Sequence, residues 1–255
     1  MNRAIKISYG SLIYLFLYLP IAILIIYSFN NAPFSSIWHG ATLKWYHQLF
    51  NDRVLMQVTG HSLLIATLAA TISMVVGAIS AIALFKYRFM GKNVIYSLLF
   101  VLIIIPDLVF GIALLVLYVM FKIPLGFWTL LLAHISFCLP FVMLTVYGRL
   151  HDMDKNLFEA AKDLGASESV IFMRVILPLI VPALLAGWLL SFTLSMDDVI
   201  ISFFVTGPTF QILPLYIYSQ VHIGITPEIN ALCTLIFAAT VLAVVLVQLL
   251  MRKKR

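Results

Sequence analysis

Of the 255 residues, 63% are hydrophobic and 10% are charged, a balance that a water-soluble domain cannot carry without exposing large apolar patches. The chain therefore belongs in lipid, and its net charge of +6 reads as a topology signal rather than as affinity for nucleic acid. A lone strand leaves backbone groups unpaired in lipid, and none of the apolar runs alternates like a barrel strand, so the expected fold class is an all-α integral membrane protein.

The first apolar run, residues 10–29, follows Arg3 and Lys6. It is longer than a signal-peptide core and no A-x-A-like site follows, so it reads as a retained anchor. Residues 30–60 form a long external connection with Pro33, Trp38, Trp45 and Tyr46, aromatics suited to a membrane interface or a partner surface. Further runs at 62–84, 94–121, 126–148, 179–203 and 229–251 are each about the length that crosses a hydrocarbon core of roughly 30 Å. The expectation is six transmembrane helices in one domain covering residues 1–255. The third run continues past Pro106, and the short turn at 122–125 makes runs three and four antiparallel neighbours. Cys138 and Cys233 sit inside different runs and read as small buried hydrophobes rather than a disulfide. The connection at 207–228 contains Pro208, Pro214 and Pro227 but no Lys or Arg. Arg3, Lys6, Lys86, Arg88, Lys92, Arg149, Lys155, Lys162, Arg174 and the four basic residues 252–255 fall on one side, against Lys44, Arg53 and Lys122 on the other. The positive-inside rule then places both termini in the cytoplasm.

The cytoplasmic connection at 149–176 is the informative one. Asp154 can cap a helix whose Leu157, Ala160, Ala161 and Leu164 share a face, and Gly165 can end it in a left-handed turn. A second short helix follows, with Ser167 as its N-cap, Glu168 in its first turn and Pro178 at its end. The result is a helix, a glycine corner and another helix. Two alanines let a foreign surface approach the backbone, Glu159 offers a carboxylate to a basic partner, and Gly165 sets the angle.

Glu159-Ala160-Ala161, three residues, Gly165, nine residues, then Val175-Ile176-Leu177-Pro178 resembles the signature loop of ABC importer permeases. The family has Ile where this chain has Val175. The resemblance implies a type I importer transmembrane domain whose residues Glu159, Ala160, Ala161, Gly165, Leu177 and Pro178 form a coupling joint for a separate ATP-hydrolysing subunit. From the residues themselves, this chain lacks a phosphate loop: Gly91-Lys92 precedes Asn93 and lacks the upstream glycine arrangement. No cofactor is expected in it, ATP and magnesium belonging to partner ATPase subunits, and it is not expected to be an enzyme.

Carboxylates within apolar runs are costly, on the order of 2.5–3.5 kcal/mol each at a helix centre, and face an interior pathway when they occur. Asp107 follows Pro106 in the third run, and Asp197 and Asp198 end the uncharged apolar stretch 179–196 of the fifth. Counted along continuous helices from the cytoplasmic ends they lie about 20 Å and about 27 Å in, close enough in depth to share one acidic site. No Lys or Arg lies inside a run to neutralise them, so the site favours a cation. Adjacent carboxylates in a partly dry place resist joint ionisation until a positive ligand arrives. A polyamine, with several ammonium groups on an apolar chain, meets that demand. Asp107 as a cap and the Asp pair as the wet end of a span stand as alternatives. Tyr216 and Tyr218 suit either cation–π contact with a ligand or anchoring at the interface.

The stretches Ser191–Val199, Phe204–Pro208, Phe137–Phe141 and Phe158–Ala166 look like the polyamine branch of the same permease family, over essentially the whole chain. That likeness implies a complex of this subunit, a second homologous permease, two ATPases and a periplasmic polyamine-binding protein in the bacterial inner membrane, surrounded by lipid. The rival within the class is a carrier of another cationic or neutral solute. An ion-gradient transporter would need no signature loop. An integral-membrane enzyme is disfavoured because the histidines at 39, 47, 61, 134, 151 and 222 are scattered, with no nucleophile or paired carboxylate beside them in the sequence.

Overall fold

A computed structural model describes residues 3–32, 37–154, 156–221, 224 and 226–252. Pro33, Lys155, His222 and the basic residues 253–255 lie outside the described residues. Two compact units divide the chain, Met1–Gln57 together with Tyr216–Arg255, and Val58–Leu215. All regular elements among the described residues are helical, as the composition requires.

The first unit holds α1 (Arg3–Tyr27), α2 (Lys44–Asn51), most of α11 (Leu213–Val221; α numbering follows chain order) and α12 (Pro227–Arg252). α1 turns Leu12, Phe16 and Leu19 outward, the surface expected of a helix in lipid. After it the chain folds back on itself through Asn30, which is almost fully buried. Its amide donates to the Ile37 carbonyl at 2.9 Å and accepts the His39 N–H at 2.8 Å. The Trp45 indole N–H donates to the Asn30 carbonyl at 2.6 Å, and Trp45 is buried on α2. Trp45 therefore serves this fold rather than a membrane interface, whereas Trp38 remains half exposed. α2 and α1 both pack against α12.

The second unit is built on α6 (Phe127–His151), flanked by α3 (Arg53–Lys86), α4 (Lys92–Ile104), α5 (Asp107–Met120), α9 (Leu177–Asp197) and α10 (Ile200–Val205). α6 is buried along much of its length, at Leu130, Ala133, Cys138, Val142, Val146 and Leu150. Glycines permit close approaches to α6: a Cβ at Gly77 or Gly187 would lie 3.0 Å or 3.3 Å from Val142 Cγ1. Both cysteines are free, Cys138 buried and Cys233 partly so. At the end of α5, Lys122 adopts φ 52°. There the Ile123 and Lys122 amides donate back to Tyr118 and Val119 at 2.8 Å and 3.0 Å, closing the turn into α6.

Two of the expected continuous spans are broken. The third run is two helices, α4 and α5, bent by 111° at Ile105-Pro106. Pro106 lacks an N–H and restricts the residue before it, and both residues are extended, at ψ 133° and 136°. The fifth run stops at Asp198, also extended at ψ 122°, before α10 begins. Depths counted along straight helices therefore do not apply to Asp107. Conversely, Pro178 does not end the second loop helix: α8 (Glu168–Ile171) passes through a π-helical turn at Phe172–Ile176 directly into α9. The widened turn accommodates the proline's missing N–H without a break. By length and composition four helices among the described residues can cross a membrane, α1, α3, α6 and the α8–α9 rod, and five if the bent α4–α5 pair counts as one span. α12 occupies the sixth run, its apolar stretch covering Pro227–Leu242 among the described residues.

Candidate functional site

Two places in the second unit carry the residues singled out by sequence, apart from Tyr216 and Tyr218. The first is the bent loop at 149–176. In α7 (Asn156–Asp163) Glu159 and Ala160 are exposed, while Ala161 packs on a core cluster that includes Val146, Leu150, Ile171 and Ile176. Gly165 has φ +76°. Its N–H donates to the Lys162 carbonyl at 2.8 Å and the Ala166 N–H to the Ala161 carbonyl at 3.1 Å. These are the paired bonds of a Schellman ending, which a left-handed glycine makes without steric penalty. Leu164 is 88% exposed and Leu157 42%, so of the four apolar positions expected to share a face Leu157, Ala160 and Leu164 turn outward among the described residues, while Ala161 turns to the core. Leu177 packs on the same core cluster, and Pro178 is exposed in the first turn of α9. Ser167 occupies the N-cap position of α8 but its hydroxyl makes no capping bond.

An ion pair ties this loop to α3. Lys86 Nζ donates to Glu168 Oε2 at 2.8 Å across two exposed side chains. That hydrogen bond, more than the accompanying Coulomb attraction, holds the Glu168 carboxyl below its usual range and Lys86 above its own. On the other side, Arg149 Nε donates to the Leu179 carbonyl at 3.1 Å, joining the end of α6 to the start of α9.

The second place is the acidic one. Helix breaks bring Asp107, Asp197 and Asp198 within electrostatic reach of one another. α5 and α10 pack closely enough that a Cβ on Gly111 would lie 3.2 Å from Ile201 Cα. Asp107 opens α5 and is exposed; Asp197 ends α9 and is exposed. Asp198 differs, being 7% exposed and engaged as a cap. It accepts the Ile201 N–H at 3.2 Å, the Ser202 N–H at 2.8 Å and the Ser202 hydroxyl at 2.7 Å. Tyr216 and Tyr218 lie on α11 in the other unit, Tyr218 half exposed.

Sequence reasoning missed His134. It sits mid-run on α6, is 1% exposed, and lies beside Ser195, Ser202 and Asp198, the last at 3.5 Å from Nε2. Distance along the chain hid a carboxylate partner 64 positions away; a lone imidazole inside an apolar run was the available signal. The cluster is not a hydrolytic triad, because Ser195 and Ser202 are buried and present no nucleophile to a substrate.

Comparison with known proteins identifies the family and the fold. The family model described as "Binding-protein-dependent transport system inner membrane component" matches residues 73–253. The chain is 50% identical over 254 residues, 100% of its own length and 96% of the relative's, to the spermidine/putrescine transport system permease protein PotC of Escherichia coli strain K12. It is 49% identical over 241 residues to PotC of Haemophilus influenzae, covering 94% of each chain. Against the putrescine transport system permease protein PotI of E. coli K12 it is 41% identical over 232 residues, 88% of this chain and 82% of the relative. Among solved structures, a bacterial ABC transporter involved in import of the acidic polysaccharide alginate superposes with a TM-score of 0.73 at 15% identity, covering 99% and 98% of the chains. The MetNI methionine ABC transporter gives 0.61 at 16%, covering 79% and 96%. These structural likenesses show the fold, that of a type I ABC importer permease. With the family model spanning most of its length and full-length relatives at half identity, the chain belongs to the inner membrane components of binding-protein-dependent transport systems.

Proposed function

We propose that this chain is the permease subunit of an ATP-driven importer that moves polyamines, spermidine or putrescine, across the bacterial cytoplasmic membrane by alternating access. The observation that carries the substrate class is the pairing of full-length identity to polyamine permeases with three carboxylates gathered at two helix breaks. No Lys or Arg lies inside the apolar runs to neutralise them, so a multivalent cation is the ligand that completes the charge balance.

Six spans with both termini in the cytoplasm accommodate the broken third and fifth runs and put the loop at 149–176 on the nucleotide side. There Glu159, Ala160, Ala161 and Gly165 dock on an ATPase subunit, with Leu177 and Pro178 joining the loop to α9. The outward-facing Leu157 and Leu164 support this reading, since an apolar face on a cytosolic projection calls for a partner. The rigid corner at Gly165 and the unbroken α8–α9 rod give movement of that partner a direct route to the Asp197–Asp198 break. Two ATPases holding ATP and magnesium, a second permease subunit and a periplasmic polyamine-binding protein complete the assembly. Tyr216 and Tyr218 are offered as pathway residues for ammonium groups.

Uptake of labelled spermidine, putrescine and unrelated solutes by cells carrying Asp107→Asn, Asp197→Asn or both tests the site. The expected result is a KM for polyamine raised at least tenfold with the complex still assembled. Unchanged polyamine uptake by the double variant would remove the acidic site from the mechanism.

A further inference from the structure

The polar cluster around His134 has a direction that proton counting supplies. Asp198 accepts the single hydroxyl proton of Ser202 at 2.7 Å. Ser202 Oγ, 2.9 Å from His134 Nε2, is therefore the acceptor there, and Nε2 carries the hydrogen. In the neutral imidazole that this leaves with one hydrogen, on Nε2, His134 Nδ1 accepts the hydroxyl proton of Ser195 Oγ, 2.6 Å away. The chain runs Ser195 to His134 to Ser202 to Asp198, each proton used once, and it links α9, α6 and α10 across the break that follows Asp197. All four side chains are buried, where a polar group left without a partner is costly.

Asp197 and Asp198 are consecutive yet play opposite parts. With three donors already on its oxygens, Asp198 has little capacity left for an ammonium group, whereas Asp197 and Asp107 are exposed. We propose that His134 is a positioning residue for the cation site: through Ser202 it holds Asp198 as the clamp of the α9–α10 break, so that Asp197 and Asp107 contact the ammonium groups while Asp198 acts from behind them. This rests on the acidic-site reading above and adds a division of labour to it.

The test is polyamine uptake by the assembled importer in proteoliposomes, with labelled spermidine as probe and KM and maximal rate measured separately. His134→Gln keeps one donor and one acceptor at similar spacing, and its KM is expected within about twofold of the parent. His134→Leu removes both and should raise KM about tenfold. Ser202→Ala, which cuts the link while leaving the imidazole in place, should do the same if the leucine variant does not assemble. In an Asp197→Asn background either lesion should add less than twofold, because the group being positioned is already gone. An unchanged KM in the assembled Leu variant or in Ser202→Ala, a Gln variant as impaired as Leu, or full multiplication with Asp197→Asn would overturn the positioning role. If Asp107→Asn and Asp197→Asn themselves leave KM unchanged, the acidic-site reading fails instead.

Discussion

Gly207 shows how a single residue constrains the second unit. Its φ is +70° and a Cβ placed on it would lie 2.6 Å from the Leu125 carbonyl oxygen. Gly207→Ala thus meets a backbone clash and a left-handed conformation together, and a loss of about 3 kcal/mol is expected. Thermal unfolding in detergent would register it as a lowered midpoint. A midpoint equal to the parent's would mean that the two turns do not meet. In the sequence this glycine was only part of a proline-containing connection. Long-range contact gave it meaning, as it did for His134, whereas Gly165 announced its left-handed turn through local pattern alone. The difference is physical: helix-ending bonds are made within six residues, but the Gly207–Leu125 and His134–Asp198 approaches depend on how helices pack.

The loop helices, with the rod that leaves them, form the next level. Gly165→Val puts a β-branched side chain at φ +76° with open space around its Cβ. The strain, of order 1–3 kcal/mol, falls on the corner rather than on the core. The expected phenotype is an assembled complex that hydrolyses ATP without importing solute, read as separate ATPase and uptake rates; undiminished uptake would count against coupling through this corner. The Lys86–Glu168 pair gives a pH signature. α3, with 34 residues, is about 51 Å long, well beyond a hydrocarbon core of roughly 30 Å, so its Lys86 end can stand in water. Because the Glu168 carboxyl is lowered in the folded protein, its contribution is present above the unfolded glutamate range and is lost as pH falls through the folded value. Because Lys86 is raised, its contribution is complete below the unfolded lysine range and fades as pH climbs through the folded value. The stability difference between the parent and Glu168→Gln should therefore be flat near neutrality, shrink toward acid, and be reduced by salt, as befits an exposed pair. A difference that persists unchanged in strong acid would assign it to packing instead.

For the whole molecule, helical character and the positions of the apolar runs were legible from hydropathy, and the glycine corner from spacing. The breaks were less so. Hydropathy carried the third run past Pro106, and nothing local gave the 111° turn; the Asp197–Asp198 pair marked the end of an apolar stretch, but not that a further helix, Ile200–Val205, restarts beyond it. Both breaks fall where the acidic residues gather. An unbroken helix would have fixed Asp107, Asp197 and Asp198 by depth alone, whereas extended backbone beside each lets two helices contribute to the proposed site. Beyond the Gly165 corner one continuous helical rod, Glu168–Asp197, runs to the break at Asp198; under the proposed function, energy input and substrate handling then share one mechanical element. The most direct measurement is uptake of labelled spermidine into proteoliposomes containing the two permease subunits, with and without the ATPase subunits, in the presence of binding protein. Accumulation above equilibrium only when ATPases and ATP are both supplied is the expected result. Accumulation by the permease pair alone, or without nucleotide, would contradict it.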